Sequence, residues 1–279
     1  MTEWPKISVV TPSYNQGAFL ERTIRSVLDQ NYPDLDYIVI DGGSADQSVD
    51  IIRRHAQDLS YWVSEEDRGQ SHAINKGLER ANGELLTWLN SDDMLEPGAL
   101  AAVAEAYRKN PEAGAFVGHG AKVNRRGHVE YYKKPSDLSF EGMCQWMDGR
   151  NFMQPSCFFT RDAWNTAGPL DEDIHIALDV DLWLRMVKQF EFVPVDILLS
   201  RALIHDDAKT TAYRNLMVVD CALVIIRHGG ERFVRQHLDN LAERLTLLEE
   251  RRIRHRLDRL YRSLFGPISK PGADRPSPD

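Results

Sequence analysis

Two adjacent carboxylates, Asp92 and Asp93, follow the apolar run Leu85-Leu86-Thr87-Trp88-Leu89 after only Asn90 and Ser91. Carboxylate oxygens so placed suit a hard divalent cation such as Mg²⁺ or Mn²⁺, which keeps several waters and binds substrate phosphates. The same acids would equally serve as caps for the helix predicted over residues 99–107, and the local sequence leaves both readings open. The apolar run itself reads as a buried strand. Open parallel sheets take their ligands outside the carboxyl ends of such strands.

Three further strand ends carry related chemistry. Ile7-Ser8-Val9-Val10 runs into Thr11-Pro12-Ser13-Tyr14-Asn15, an aromatic face beside small polar groups. Tyr37-Ile38-Val39-Ile40 ends at Asp41-Gly42-Gly43-Ser44. Asp41 can accept from a base N–H or from ribose hydroxyls, and the glycines let the backbone approach a ligand closely. Tyr61-Trp62-Val63 leads to Glu65-Glu66-Asp67-Arg68-Gly69-Gln70. Any one of these is ordinary turn chemistry, but four in register point to a nucleotide. No Gly-x-Gly-x-x-Gly follows the first strand and no Gly-Lys-Ser/Thr loop occurs, which argues against dinucleotide and P-loop enzymes. Without a glycine cradle, a metal must carry more of a diphosphate's charge, and Asp92 and Asp93 are its candidate ligands.

These ends are positioned by alternating strands and helices. Helical spacing over residues 18–30, 47–56 and 70–81 separates the strands, giving β-α-β-α-β-α-β and hence a parallel, doubly wound sheet with right-handed crossovers. From about residue 111 the pattern changes. Residues 115–118, 129–132 and 156–160 read as strands, and 180–189 as a helix rich in Leu, Trp and Met. Residues 212–265 read as almost wholly helical, and 267–279, with four prolines, as a flexible tail.

The chain has 279 residues and a formal net charge of −8, ample for a large core and contrary to generic nucleic-acid binding. Three scattered cysteines, Cys144, Cys157 and Cys221, predict reduced, buried thiols. Residues 1–6 are polar, which predicts no secretory leader. The apolar stretch 216–226 is interrupted by Asp220 and is too short to span a bilayer. The expectation is a cytoplasmic protein, at most peripheral at the inner face of a membrane.

Ile7-Ser8-Val9-Val10-Thr11-Pro12-Ser13-Tyr14-Asn15, Asp41-Gly42-Gly43-Ser44, Asn90-Ser91-Asp92-Asp93 and Asp179-Val180-Asp181-Leu182-Trp183 together resemble the family 2 glycosyltransferases. The resemblance implies an α/β GT-A fold, a Rossmann-like, mostly parallel sheet flanked by helices. It runs from about residue 6 to 211. It places a glycosyltransferase domain at 1–211 (nucleotide half 1–110, acceptor half 111–211), followed by a helical region at 212–266 and the tail. It further implies that Thr11, Pro12 and Tyr14 line the base and ribose while Asp41 bonds the base. Asp67, Asn75 and Lys76, with Asn90 and Ser91, would frame the donor. Asp92, with Asp93 and His205, would hold Mn²⁺ or Mg²⁺, and Lys209, Thr210 and Thr211 would close over the donor. Asp179 falls where the family carries its catalytic base. Two positions depart from the pattern: Asn90 replaces an aspartate and Leu178 a glutamate.

The implied reaction is inverting transfer from a nucleotide diphosphate sugar, a UDP-sugar by resemblance, to the hydroxyl of a saccharide or lipid-linked saccharide, in bacterial-type polysaccharide or glycolipid synthesis. A catalytically impaired sugar-nucleotide-binding protein and a sugar nucleotidyltransferase are the rival readings. Gln154, Pro155, Ser156 and Trp183 are candidates for either the acceptor site or core packing. Late in the chain Arg251, Arg252, Arg254, Arg256, Arg259 and Arg262 flank an apolar stripe. That pattern suits peripheral contact with anionic lipid, packing on its own domain, or a homodimer.

Overall fold

A computed structural model describes residues 4–205 and 214–265; the Lys209–Thr211 loop and the tail at 267–279 lie outside them. The first half follows the alternation of the sequence: β1 (Ile7–Ser13), α1 (Gly17–Leu28), β2 (Leu35–Asp41), α2 (Ser48–Arg54), β3 (Tyr61–Ser64), α3 (Gln70–Arg80) and β4 (Leu85–Trp88). A two-residue strand β5 (Met94–Leu95) and helix α4 (Ala99–Lys109) complete it. The second half holds β6 (Ala115–Val123), β7 (Val129–Lys133), α5 (Phe140–Cys144), β8 (Cys157–Thr160), α6 (Arg161–Ala167), α7 (Leu178–Met186) and β9 (Phe192–Leu203). Two helices follow, α8 (Arg214–Arg227) and α9 (Glu231–Phe265).

All strands belong to one sheet in the order β3-β2-β1-β4-β8-β6-β9-β5, with β7 pairing on β6. Strands β1 to β4 pair in parallel. Beyond β4 the sheet is mixed: β8 is antiparallel to β4 and β6, whereas β9 is parallel to β6. The parallel strands are apolar without alternation because helices cover both faces. Val10, Ile38, Ile40 and Trp88 pack on one side with α3 and α7. Val9, Tyr37, Val39 and Leu89 pack on the other with α1, α2 and α4.

Trp183 is fully buried and stacks on Trp88 with ring centroids 5.5 Å apart. It is therefore a core residue beneath the site, where Phe152, Phe159 and Phe192 close around it. The three cysteines are free and buried. Burial pushes the Cys144 thiol up to about 11 and the Cys221 thiol up to about 12.

The longest strand, β9, does not announce itself in the sequence. Its outer half, Val193-Pro194-Val195-Asp196-Ile197, carries a proline and a charge and stays largely uncovered. Its register against β6 shifts between Val117 and His119 and again before Gly120, so no period-2 pattern survives. The helical stretch expected at 212–265 is broken at His228-Gly229-Gly230, where Gly229 takes φ 92°, a left-handed turn natural to glycine. The chain divides into two compact units, Met1–Val234 and Arg235–Asp279, so α8 belongs with the sheet. In the second unit Leu245, Leu248, Ile253 and Leu257 are exposed. No helix among the described residues is long and apolar enough to cross a membrane.

Candidate active site

The parallel strands deliver their polar ends to one side of the sheet, where backbone and side-chain hydrogen bonds fix each loop. After β1, Asn15 turns left-handed at φ 52°. Its backbone N–H donates to Ser44 Oγ at 2.7 Å, and its Oδ1 accepts from the Ala45 N–H at 2.9 Å. That latch joins the β1 and β2 exits and leaves Tyr14 exposed beside them. Asp41 is fully buried and accepts three hydrogen bonds: from the Ser44 N–H (2.9 Å), Ser44 Oγ (2.6 Å) and Ser64 Oγ (2.7 Å). The next residue, Gly42, leaves room for the Asp67 carboxylate: a Cβ there would lie 2.6 Å from Asp67 Oδ2 and would push that side chain aside.

A cavity of about 980 Å³ opens over these loops. Of the sequence-expected donor residues, Pro12, Tyr14, Asp67, Asn90 and Ser91 line it. Thr11 and Asp41 lie beneath its wall, both fully buried, with the Thr11 hydroxyl 3.0 Å from that of Tyr37. Asn75 and Lys76 are not brought to it. The Asn75 amide pairs in both directions with the Leu170 backbone, at 2.9 and 2.8 Å, and Lys76 forms an ion pair with Glu65.

The loop 90–93 is held from three sides. The Thr23 hydroxyl of α1 donates to the carbonyls of Ser91 (2.9 Å) and Asp93 (2.7 Å). Gln70, first residue of α3, donates to Asn90 Oδ1 at 2.8 Å. Gln154 donates to the Trp88 carbonyl at 2.8 Å and accepts from Asn90 Nδ2 at 3.4 Å. So fixed, Asp92 faces the cavity with its side chain 20% exposed, and its Oδ2 meets His205 Nε2 at 2.9 Å. His205 is wholly buried behind it against Phe19, centroids 4.6 Å apart. Asp93 turns inward. Burial, and then the adjacent Asp92 charge, push its carboxyl well above the usual carboxylate range.

The donor set fits a divalent cation through Asp92, an oxygen ligand on the cavity wall whose orientation is set from behind by an imidazole. Among the described residues no group of three or more His, Cys, Asp or Glu side chains converges on one point. Waters and a bound diphosphate would therefore complete the coordination sphere, as they commonly do for Mg²⁺.

Asp179 stands in the first turn of α7, half-buried, its Oδ1 accepting the Val180 N–H at 2.9 Å. It is not among the cavity-lining residues. Its charge reaches Cys157 of β8 and Cys221 of α8, helping to raise both thiols after burial. The cavity also recruits residues that sequence reasoning missed: Lys122 from β6, His175 and Ile176 before α7, and Leu216 and Asp220 from α8. Lys122 does leave a trace in the sequence, as a lone cation in the run Ala115-Phe116-Val117-Gly118-His119-Gly120-Ala121-Lys122-Val123. Asp220 likewise stands as the lone charge in the apolar stretch 216–226, whereas His175 leaves no such trace.

Comparison with known proteins agrees with this architecture. An uncharacterized glycosyltransferase of Mycobacterium tuberculosis is 31% identical over 202 residues, covering 71% of this chain and 75% of that protein. Chondroitin synthase of Escherichia coli is 26% identical over 207 residues, covering 73% of this chain but only 29% of the larger enzyme. Among solved structures, a mannosyltransferase from Pyrobaculum calidifontis, in complex with GDP-Man and Mn²⁺, superposes with a TM-score of 0.64 at 21% identity, over 94% of this chain and 84% of that one. That likeness establishes the GT-A fold. The family description Glycosyl transferase family 2 matches residues 8–166, more than half of the sequence, and the chain belongs to that family.

Proposed function

We propose that this glycosyltransferase moves a sugar from a nucleotide diphosphate sugar to an acceptor hydroxyl with inversion, in polysaccharide or glycolipid synthesis. The observation that carries the reading is the single cavity wall on which Pro12, Tyr14 and Asp67 lie with Asn90, Ser91 and Asp92. Tyr14 offers a free aromatic face to the base. Asp41, with three hydrogen bonds already fixed, holds the loop that shapes the nucleoside end. Asp92, oriented by His205, is the residue that would hold Mn²⁺ or Mg²⁺. Such an ion supplies Lewis-acid stabilisation of the departing diphosphate.

Asp179 takes the acceptor proton in this scheme. A sugar hydroxyl is a weak nucleophile until a positioned base accepts that proton, a contribution of roughly 10²–10⁴-fold. The hydroxyl oxygen bonds to the anomeric carbon as the bond to the diphosphate oxygen breaks on the opposite face. One base and no nucleophile give a single inversion. A second reading, a nucleotide-sugar-binding protein with impaired transfer, draws on two observations: Asp179 stands off the cavity wall, and Leu178 precedes it where the family has a glutamate.

A thermal-shift panel of UDP-, GDP- and dTDP-sugars with and without Mn²⁺ tests donor binding, because a ligand that binds only the folded state raises its apparent stability. No stabilisation by any donor would remove the proposal. Release of nucleotide diphosphate by wild type, lost in Asp179→Asn with donor binding intact, supports transfer. Equal release by both proteins favours the impaired binder.

A further inference from the structure

The cavity has an electrostatic problem. Four carboxylates line it, those of Glu66, Asp67, Asp92 and Asp220, beside the buried Asp93 carboxyl and against two permanent cations, Arg68 and Lys122. Arg68 is already committed, its guanidinium donating to Glu172 at 2.9 and 2.8 Å. Lys122 is different. It is half-buried on β6, with Ala202 of β9 and Tyr131 of β7 as its strand neighbours. Among the described residues its ammonium makes neither a hydrogen bond nor an ion pair. An anion entering this acidic cleft can therefore meet the Lys122 ammonium without displacing a hydrogen bond or ion pair it makes to a described residue. Its place on the wall decides which anion. Its chain neighbours Ala121 and Val123 pack with Leu203 and Phe19, and Phe19 lies against His205, the partner of Asp92, so Lys122 lies toward the Asp92–Asp93 end of the cavity rather than the Pro12–Tyr14 end.

We propose that Lys122 binds the diphosphate of the nucleotide sugar, sharing with a metal at Asp92 the neutralisation of that anion inside an acidic cleft. This rests on the donor reading above. The ammonium forms a charge-assisted hydrogen bond to a phosphate oxygen, present in the donor and in the diphosphate that leaves, and absent from a bare nucleoside.

The test is calorimetric titration of the full chain with nucleoside, monophosphate and diphosphate of the preferred base, with and without Mn²⁺, for wild type, Lys122→Gln and Lys122→Arg. Loss of one charge-assisted contact predicts a Kd for the diphosphate raised about tenfold or more in Lys122→Gln. The nucleoside should change by less than about twofold, and arginine should restore most of the affinity, since both cations bind phosphate. The ligand-free Lys122→Gln variant should keep a single cooperative melting transition close to that of wild type, because no hydrogen bond or ion pair to a described residue is lost; this separates binding from a folding defect. Unchanged diphosphate affinity in Lys122→Gln overturns the proposal. So does an equal loss for nucleoside and diphosphate, or an effect confined to the KM of an acidic acceptor. If wild type itself binds no nucleotide diphosphate, the donor reading falls and this inference with it.

Discussion

At Asn90 the amide nitrogen donates to Asp93 Oδ2 at 3.3 Å and to Gln154, while its oxygen accepts from Gln70. An aspartate there would offer no donor and would set a third carboxylate beside Asp92 and the buried Asp93. The departure from the family pattern thus has a local reason: this site keeps one cavity-facing acid and uses an amide to hold the inward one. Asn90→Asp should destabilise the metal-free protein by about 1–3 kcal/mol, the usual cost of breaking buried polar contacts, yet tighten Mn²⁺ binding. Urea unfolding in EDTA and a Mn²⁺ titration measure the two, and a variant more stable than wild type in EDTA would contradict the account. His205→Ala should weaken Mn²⁺ binding by about 10–100-fold, as loss of an orienting partner commonly does; a titration showing equal affinity would reduce His205 to packing. The paired acids were legible because they follow an apolar strand directly. Lys122 was not, since its meaning depends on which residues the fold brings around it.

Two elements bind each other through a buried charge cluster that no spacing rule discloses. Asp181 of α7, its side chain 5% exposed, meets Arg185 at 2.9 Å and His228, just past α8, at 2.8 Å. Arg185 in turn donates to the carbonyls of Ala167, Gly168 and Pro169. Burial alone would raise the Asp181 carboxyl, but the His228 hydrogen bond and the Arg185 charge outweigh it and hold it below its ordinary value. Asp181→Asn leaves the Arg185 cation without its anion and should cost about 3 kcal/mol, read as a lower urea midpoint with an unchanged m-value. A loss below about 0.5 kcal/mol would show the cluster to be ornamental. On the other side of the sheet, Glu21 of α1 holds α2 through His55 (2.9 Å) and Arg54 (2.8 Å). Those hydrogen bonds lower its carboxyl to about 2. An unfolded glutamate titrates near ~4.3, so this stabilisation is complete above that value and disappears as pH falls toward 2. Wild type should exceed Glu21→Gln by less than about 1 kcal/mol at neutral pH, given partial exposure, and the two acid-unfolding curves should converge near pH 2. Curves that stay parallel would refute the linkage. Sequence periodicity located the helices on both faces because burial imposes it; it could not reveal which polar residues join one helix to the next.

Charge is divided unevenly along the whole molecule. The last 45 residues carry ten Lys and Arg against seven Asp and Glu, leaving the first 234 with 24 against 35. The unit that holds the cavity is therefore strongly acidic, and its long-range field opposes an anionic donor. Neutralisation must come from short range, through Lys122 and a cation at Asp92, where screening by salt is weak. Every cavity-lining residue lies in the unit Met1–Val234, as does the core residue Val234 at its end. A chain ended after Val234 should accordingly unfold in one cooperative transition and bind a nucleotide diphosphate within about twofold of the full-length Kd at 0.15 M salt, where the Debye length is ~8 Å. Calorimetry on the two proteins decides it. A change larger than about fivefold at that ionic strength would mean that the basic segment supplies part of the field the donor feels. One that vanished at 1 M salt, where the Debye length falls to ~3 Å, would identify that contribution as electrostatic rather than a missing contact.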